Sequence, residues 1–255
     1  MTVISQLPRN FDIEVARGTV PGYENIRIAG VNPSVGDSFE DLWDAGGKFL
    51  FPTAGETWEV VSDNVNDISE GTGAKTLLIT GLDDSYVEQS EVIAMNGTTP
   101  VTTTRTDWFR IRSVIVVSSG SGETNAGDIT IRVSGGGDTR SLIRTGLSNT
   151  FNGFFTVPAN KTLFVLNAQV LIPKNEDVVN RNRFKGFGTN TFLSGGDNPL
   201  YQNQGIAVFT SLPTLPQKTD FVVTSKSTNT SVSVSILIQG KLVDDEGSSI
   251  GISSF

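Results

Sequence analysis

Acid–base chemistry near neutral pH leans on histidine and cysteine, and this 255-residue chain contains neither. Their absence excludes a Ser-His-Asp triad, His-ligated zinc, a thiolate nucleophile and every disulfide. Carboxylates, hydroxyls and scattered cations remain. An Asp/Glu pair for glycoside hydrolysis would need a spatial separation that sequence spacing does not give, and no Asp-Thr-Gly or Asp-Ser-Gly motif is present. The acidic loop Asp63–Glu70 offers oxygen ligands, but Val65 falls at an EF-hand ligand position and Ile68 replaces the turn glycine. Gly71-Thr-Gly73 and Gly120-Ser-Gly122 lack the third glycine and following helix of a dinucleotide fingerprint, so both read as hairpin loops. The expectation is a chain that is not an enzyme and carries no cofactor and no metal, with an unrecognised hydrolase as the alternative.

Binding is the remaining class. The net charge is −8, from 27 acidic and 19 basic residues, and no long basic run occurs, which argues against direct nucleic-acid binding. No apolar run approaches the ~18 residues of a transmembrane helix, so no membrane partner is expected. The start, MTVISQLPRNFDIEV, lacks the basic and apolar regions of a secretory signal, which points to synthesis in a cytoplasm. Two sets of residues are candidates for partner contact. Phe39, Trp43, Phe49 and Phe51 form an aromatic set in the first 56 residues, either plugging the edge of the domain or anchoring an arm on a partner. Arg181, Arg183 and Lys185 form the most basic patch, either as the solvent face of an alternating strand or as forks for a partner's carboxylates. Trp43, Trp58, Trp108 and the tyrosines are the candidates for stacking on sugars.

The elements that must position these residues read as strands. Asp128–Val133 alternates strictly, with Ile129, Ile131 and Val133 on one face and Thr130 and Arg132 on the other. Thr76–Thr80, Tyr86–Ile93 with mixed alternation, Phe109–Val117 with partial alternation, Phe151–Val157, Asp177–Phe187, Gly205–Ser211, Asp220–Thr224 and Ser231–Val243 also read as strands. The nearly continuous apolar run Leu163–Ile172 predicts a central strand buried on both faces. Asp83-Asp84-Ser85, Asn96-Gly97 and Pro158-Ala-Asn160 are turns. Before Trp58, frequent Gly and Pro allow only short elements: strands at Phe11–Val15 and Asn25–Ala29 and one helical turn at Ser38–Trp43. About ten strands with few helix candidates predict an all-β, antiparallel β-sandwich or jelly roll.

Four pieces, in order, carry a resemblance: WEVVSDNVNDISEGTGAKTLLITGLDDSYVEQSEVIAMNGTTPV, WFRIRSVIVVSSGSGETNAGDITIRVSGGG, FFTVPANKTLFVLNAQVLIPKNEDVVNRNRF and LPQKTDFVVTSKSTNTSVSVSILIQGKLVDD. The chain from Thr57 to Asp245 resembles virion structural proteins of tailed bacteriophages, taken to be capsid decoration or cement proteins with a jelly-roll fold. Its most specific parts are the turns Asn96–Pro100, Val157–Thr162, Lys174–Asp177 and the pairing of Lys218–Asp220 with Thr228-Asn229. The resemblance implies an N-terminal arm or edge segment over 1–56, a jelly-roll domain over 57–245 and a flexible tail over 246–255. It further implies a place on the capsid surface of a virion, with the major capsid protein as partner and a trimer as the oligomer. The alternative is a tail or host-facing module binding cell-surface glycans.

Overall fold

The computed structural model describes residues 10–173, 176–201, 204–208, 213–228 and 231–245. Most strands form where they are expected, and pairing then departs from expectation. The described strands make four antiparallel sheets, the blade count of a four-bladed β-propeller, in place of the two sheets of a jelly roll. The first sheet orders β1 (Tyr23–Val35), β17 (Val232–Asp244), β11 (Lys161–Leu171) and β14 (Gln204–Val208), with β15 (Thr214–Leu215) also on β11. The second orders β10 (Phe154–Thr156), β16 (Asp220–Ser227), β12 (Asp177–Lys185) and β13 (Leu193–Tyr201), with β2 (Glu40–Asp41) on β16. The third orders β6 (Val101–Thr102), β3 (Trp58–Ser62), β8 (Ile129–Val133) and β9 (Thr139–Ile143). The fourth orders β5 (Glu88–Ala94), β4 (Ala74–Asp83) and β7 (Trp108–Ser119). Unlike the consecutive meanders of a propeller blade, the first two sheets draw strands from distant parts of the chain.

The predicted jelly roll fails for a physical reason: alternation says which side chains point inward, not which strand lies beside which. The segment 1–56 shows this. Its β1 is an edge strand of the first sheet, registered on β17 from Tyr23 opposite Val243 to Val35 opposite Val232. An extended N-terminal arm is therefore not what residues 10–56 form. Gly30 in that strand approaches Gly153 so closely that a Cβ would lie 2.4 Å from its Cα and 2.3 Å from the Leu42 carbonyl oxygen. Only glycine fits there.

Two apolar cores follow. The first lies between the first and second sheets and holds Ile28, Ile236, Leu163, Phe155, Phe221 and Val223 among others. The second gathers Leu77, Ile79, Val114, Ile129 and Ile131 from the third and fourth sheets with Phe154 and Val222 from the second. Neighbouring residues of β10 and β16 thus serve different cores, as a period of two requires of a sheet covered on both faces. At the heart of the second core Trp58 and Trp108 stack at 5.0 Å between ring centroids and 9° between planes.

Local corrections have local causes. Phe11–Ala16, in a stretch expected to be a strand, is helix α1: Asn10 Oδ1 accepts from the Asp12 and Ile13 amides, and Asp12 and Glu14 occupy the first turn. Ser38–Trp43 makes β2 and a bridge from Trp43 to Asn152 instead of a helical turn. β11 is interior in its sheet, yet its outward side chains are half-buried and, at Leu171, exposed. The turn at Asn160 adopts φ 60° as expected. Lys174, Asn175, Asn229 and the tail 246–255 lie outside the described residues.

Candidate functional site

The structure splits the aromatic set. Trp43 and Phe49 are buried and Phe51 half-buried, and all three pack on Phe154, Phe49 lying face to face with it at 4.0 Å. They form core, which corrects their reading as partner anchors. Trp58 and Trp108 are 0% exposed and Trp43 4%, so no tryptophan face is open to a sugar. Phe39, half-buried, stands apart from that cluster beside the basic strand. Arg181 lies 3.9 Å from its ring centroid and Lys226 5.0 Å.

Alternation along β12 positions the basic residues. Phe184 turns into the first core, while Arg181, Arg183 and Lys185 point to the opposite face. Each is held by a carboxylate. Arg181 Nε and Nη2 donate to Asp197 Oδ1 and Oδ2 at 2.5 and 2.9 Å. Arg183 Nη2 donates to Asp41 Oδ1 at 2.6 Å, and Lys185 Nζ lies 3.0 Å from Asp220 Oδ2. The ladder runs from solvent at Arg181 to a deeply buried cluster at Asp220. There Arg110 Nε and Nη2 bind both carboxylate oxygens at 2.8 and 2.9 Å, and Thr156 Oγ1 donates at 2.7 Å. The inner end is structural.

The outer end is open. Asp37, Phe39, Lys48, Arg181, Thr224 and Lys226 line a concave site of about 340 Å³, into which Arg183 also projects. Lys48 and Lys226 have no ion-pair partner among the described residues. Asp41 sits beneath this floor. Burial raises its carboxyl above the ordinary value, against the pull of the Phe49 amide and of Arg183. The hydrogen bond from Arg181 holds Asp197 below its ordinary value. The arrangement offers two ammonium groups outside any direct ion pair among the described residues, which suits a carboxylate or another compact anion.

Sequence reasoning found Phe39, Arg181 and Arg183 but missed Lys48, Lys226 and Thr224. The strand read at Asp220–Thr224 stopped short of Lys226, which β16 includes by running on to Ser227. The neighbours of Thr224 and Lys226 were not readable, because the pairings Arg181–Thr224 and Val179–Lys226 are tertiary facts.

Other candidates have structural roles. Asp67, in the acidic loop, accepts from Ser62 Oγ and the Ala74 amide at 2.6 Å, from the Ala126 amide at 2.8 Å and from the Gly127 amide at 3.0 Å. Its oxygens are fully engaged. No group of three or more His, Cys, Asp or Glu among the described residues could hold a metal ion. The glycine loops pack on each other, the Gly120 amide donating to the Gly73 carbonyl and the Gly122 amide to the Thr72 carbonyl, both at 2.8 Å. A cavity of about 220 Å³ at the seam of β1, β7 and β10 is lined by Arg112, which Glu24 and Glu88 neutralise. No described helix is long and apolar enough to cross a membrane.

No family model matches the chain, and no curated protein does. Among solved structures, the chain is similar to the infectious bursal disease virus VP2 subviral particle at 9% identity and a TM-score of 0.19, covering 90% of this chain and 74% of that one. A likeness so weak carries no argument. The expected membership of the tailed-phage decoration proteins does not hold: it rested on turn motifs, and four sheets stand where it required a jelly roll. The decoration role falls with the fold that implied it.

Proposed function

We propose that this chain is a non-catalytic binding module that receives a carboxylate-bearing partner in the groove over Phe39. One observation carries the reading: Lys48 and Lys226 are the groove's cations with no direct ion pair among the described residues, in a chain of net charge −8 whose other groove cations are already paired. The Lys226 ammonium stands 5.0 Å from the Phe39 ring centroid and Lys48 lines the same groove, so both can pair with an anion there, whereas Arg181 and Arg183 are held by Asp197 and Asp41. The lack of His and Cys, together with the structural engagement of Asp67 and Asp220, supports a role in binding rather than turnover.

The test is calorimetric titration with citrate, a compact polycarboxylate, at low salt. The expected result is binding that weakens when both lysines are reversed in Lys48→Glu/Lys226→Glu and when ionic strength is raised, since exposed pairs are screened over ~10 Å at 0.1 M salt. Exposed ion pairs contribute about 0.2–1 kcal/mol each, so the double variant should lose up to roughly 30-fold. Equal affinity in the wild type and the double variant would overturn the assignment.

A further inference from the structure

The cationic groove does not end at Lys226. A second concavity of about 260 Å³ adjoins it, sharing Asp37 and Lys226, and is lined by Val179, Pro199 and Leu200. Its walls are mainly aliphatic where those of the first are charged. From these adjoining compartments we infer that the occupant is an extended peptide segment of a partner protein, acidic at one position and aliphatic two residues away. This rests on the anion-binding reading above and names its ligand.

Spacing is the argument. Val179 and Arg181 stand two residues apart on β12, so their side chains share a face about 6.5–7 Å apart. The cross-strand partners keep that step: Val179 pairs with Lys226 and Pro199, Arg181 with Thr224 and Asp197. An extended peptide laid along β12 repeats the same distance between side chains i and i+2. Its aliphatic side chain then meets Val179, Pro199 and Leu200 while its carboxylate reaches Lys48 and Lys226. Asp37 borders both compartments, whereas Asp177 lines the aliphatic one alone and repels a second carboxylate there. Both compartments are open clefts along a strand, which fits a segment passing across the surface.

Fluorescence polarisation with three labelled, end-blocked peptides tests this: Ser-Leu-Ser-Glu-Ser, Ser-Leu-Glu-Ser-Ser and Ser-Ser-Ser-Glu-Ser. The first is expected to bind about tenfold or more tightly than the other two, the gain from burying one leucine on the correct face. Val179→Ser should erase that gain and leave citrate binding in place. Lys226→Glu should weaken all three peptides. Folding of each variant is checked by the emission of the stacked Trp58 and Trp108. Equal affinity for the three peptides, with citrate still bound, would overturn the peptide assignment and leave the anion site standing. Failure of citrate and of every peptide to bind would remove the anion site itself.

Discussion

Arg110 and Asp220 are 4% and 2% exposed in their side chains and join the fourth sheet to the second. Burial works to raise the Asp220 carboxyl, and hydrogen bonds from Arg110, Thr156 and Lys185 outweigh it, so the group lies below its ordinary value. Arg110→Ala leaves that carboxylate with Lys185 as its remaining cation, and breaking a buried pair costs about 3–5 kcal/mol. Urea denaturation should show a loss of that order; a loss under about 1 kcal/mol would mean that water replaces the guanidinium. Asp44 behaves oppositely. Burial lifts its carboxyl to about 6, despite the Phe151 amide at 2.7 Å and the nearby Arg144. Because the folded value exceeds the unfolded one, its contribution to stability is complete below the unfolded pKa and is lost as pH rises through about 6. Asp44→Asn should therefore raise stability at pH 7 relative to the wild type by up to about 3 kcal/mol, with the advantage shrinking towards pH 4. Thermal melts of both proteins across that range give the answer, and a constant offset would refute it. Neither shift was legible in the sequence, where Asp44 and Asp220 look like any other acids.

At the scale of elements, one carboxylate fastens three segments. Asp67 takes amide protons from Ala74 at the start of β4 and from Ala126 and Gly127 in the loop before β8, as well as the Ser62 hydroxyl at the end of β3. Asp67→Ala should speed amide exchange at Ala74, Ala126 and Gly127 by about tenfold or more, since each loses a bond to a charged acceptor contributing ~1.5–3 kcal/mol. Protection unchanged at all three would show that packing, not the carboxylate, orders the loops. The sequence marked this loop as rich in oxygen ligands. It could not show that backbone amides, and not a cation, surround them. For strands the sequence was more informative. Ile129 and Ile131 are buried as their alternation requires, and Asp83 Oδ1 accepts the Ser85 and Val87 amides to close the turn read at Asp83–Ser85. At Phe11–Val15 the alternation misled, because the Asn10 cap and a Phe11–Tyr23 edge contact at 5.2 Å favour a short helix.

Over the whole molecule, the second sheet couples the two cores. Phe155, Phe221 and Val223 face one core while Phe154 and Val222 face the other. Neither core can open without exposing a strand that the other buries, so scanning calorimetry should give one transition with matching calorimetric and van't Hoff enthalpies. Val222→Ala should lower its midpoint without splitting it, at a cost of about 1–3 kcal/mol for a truncated core side chain. Two resolved transitions would show that the cores melt independently.

Composition and alternation by themselves determined an all-β chain, most of its strands and turns, and a chemistry without histidine or cysteine, because backbone preference and side-chain period act between near neighbours. Tertiary structure alone decided that β1 pairs with β17 across the length of the chain, that the strands sort into four sheets, and that Phe39, Lys48, Arg181 and Lys226 share one groove. The reason is physical. A strand's own sequence fixes which of its faces is apolar, but its neighbour is chosen by how every apolar face in the molecule can be covered at once.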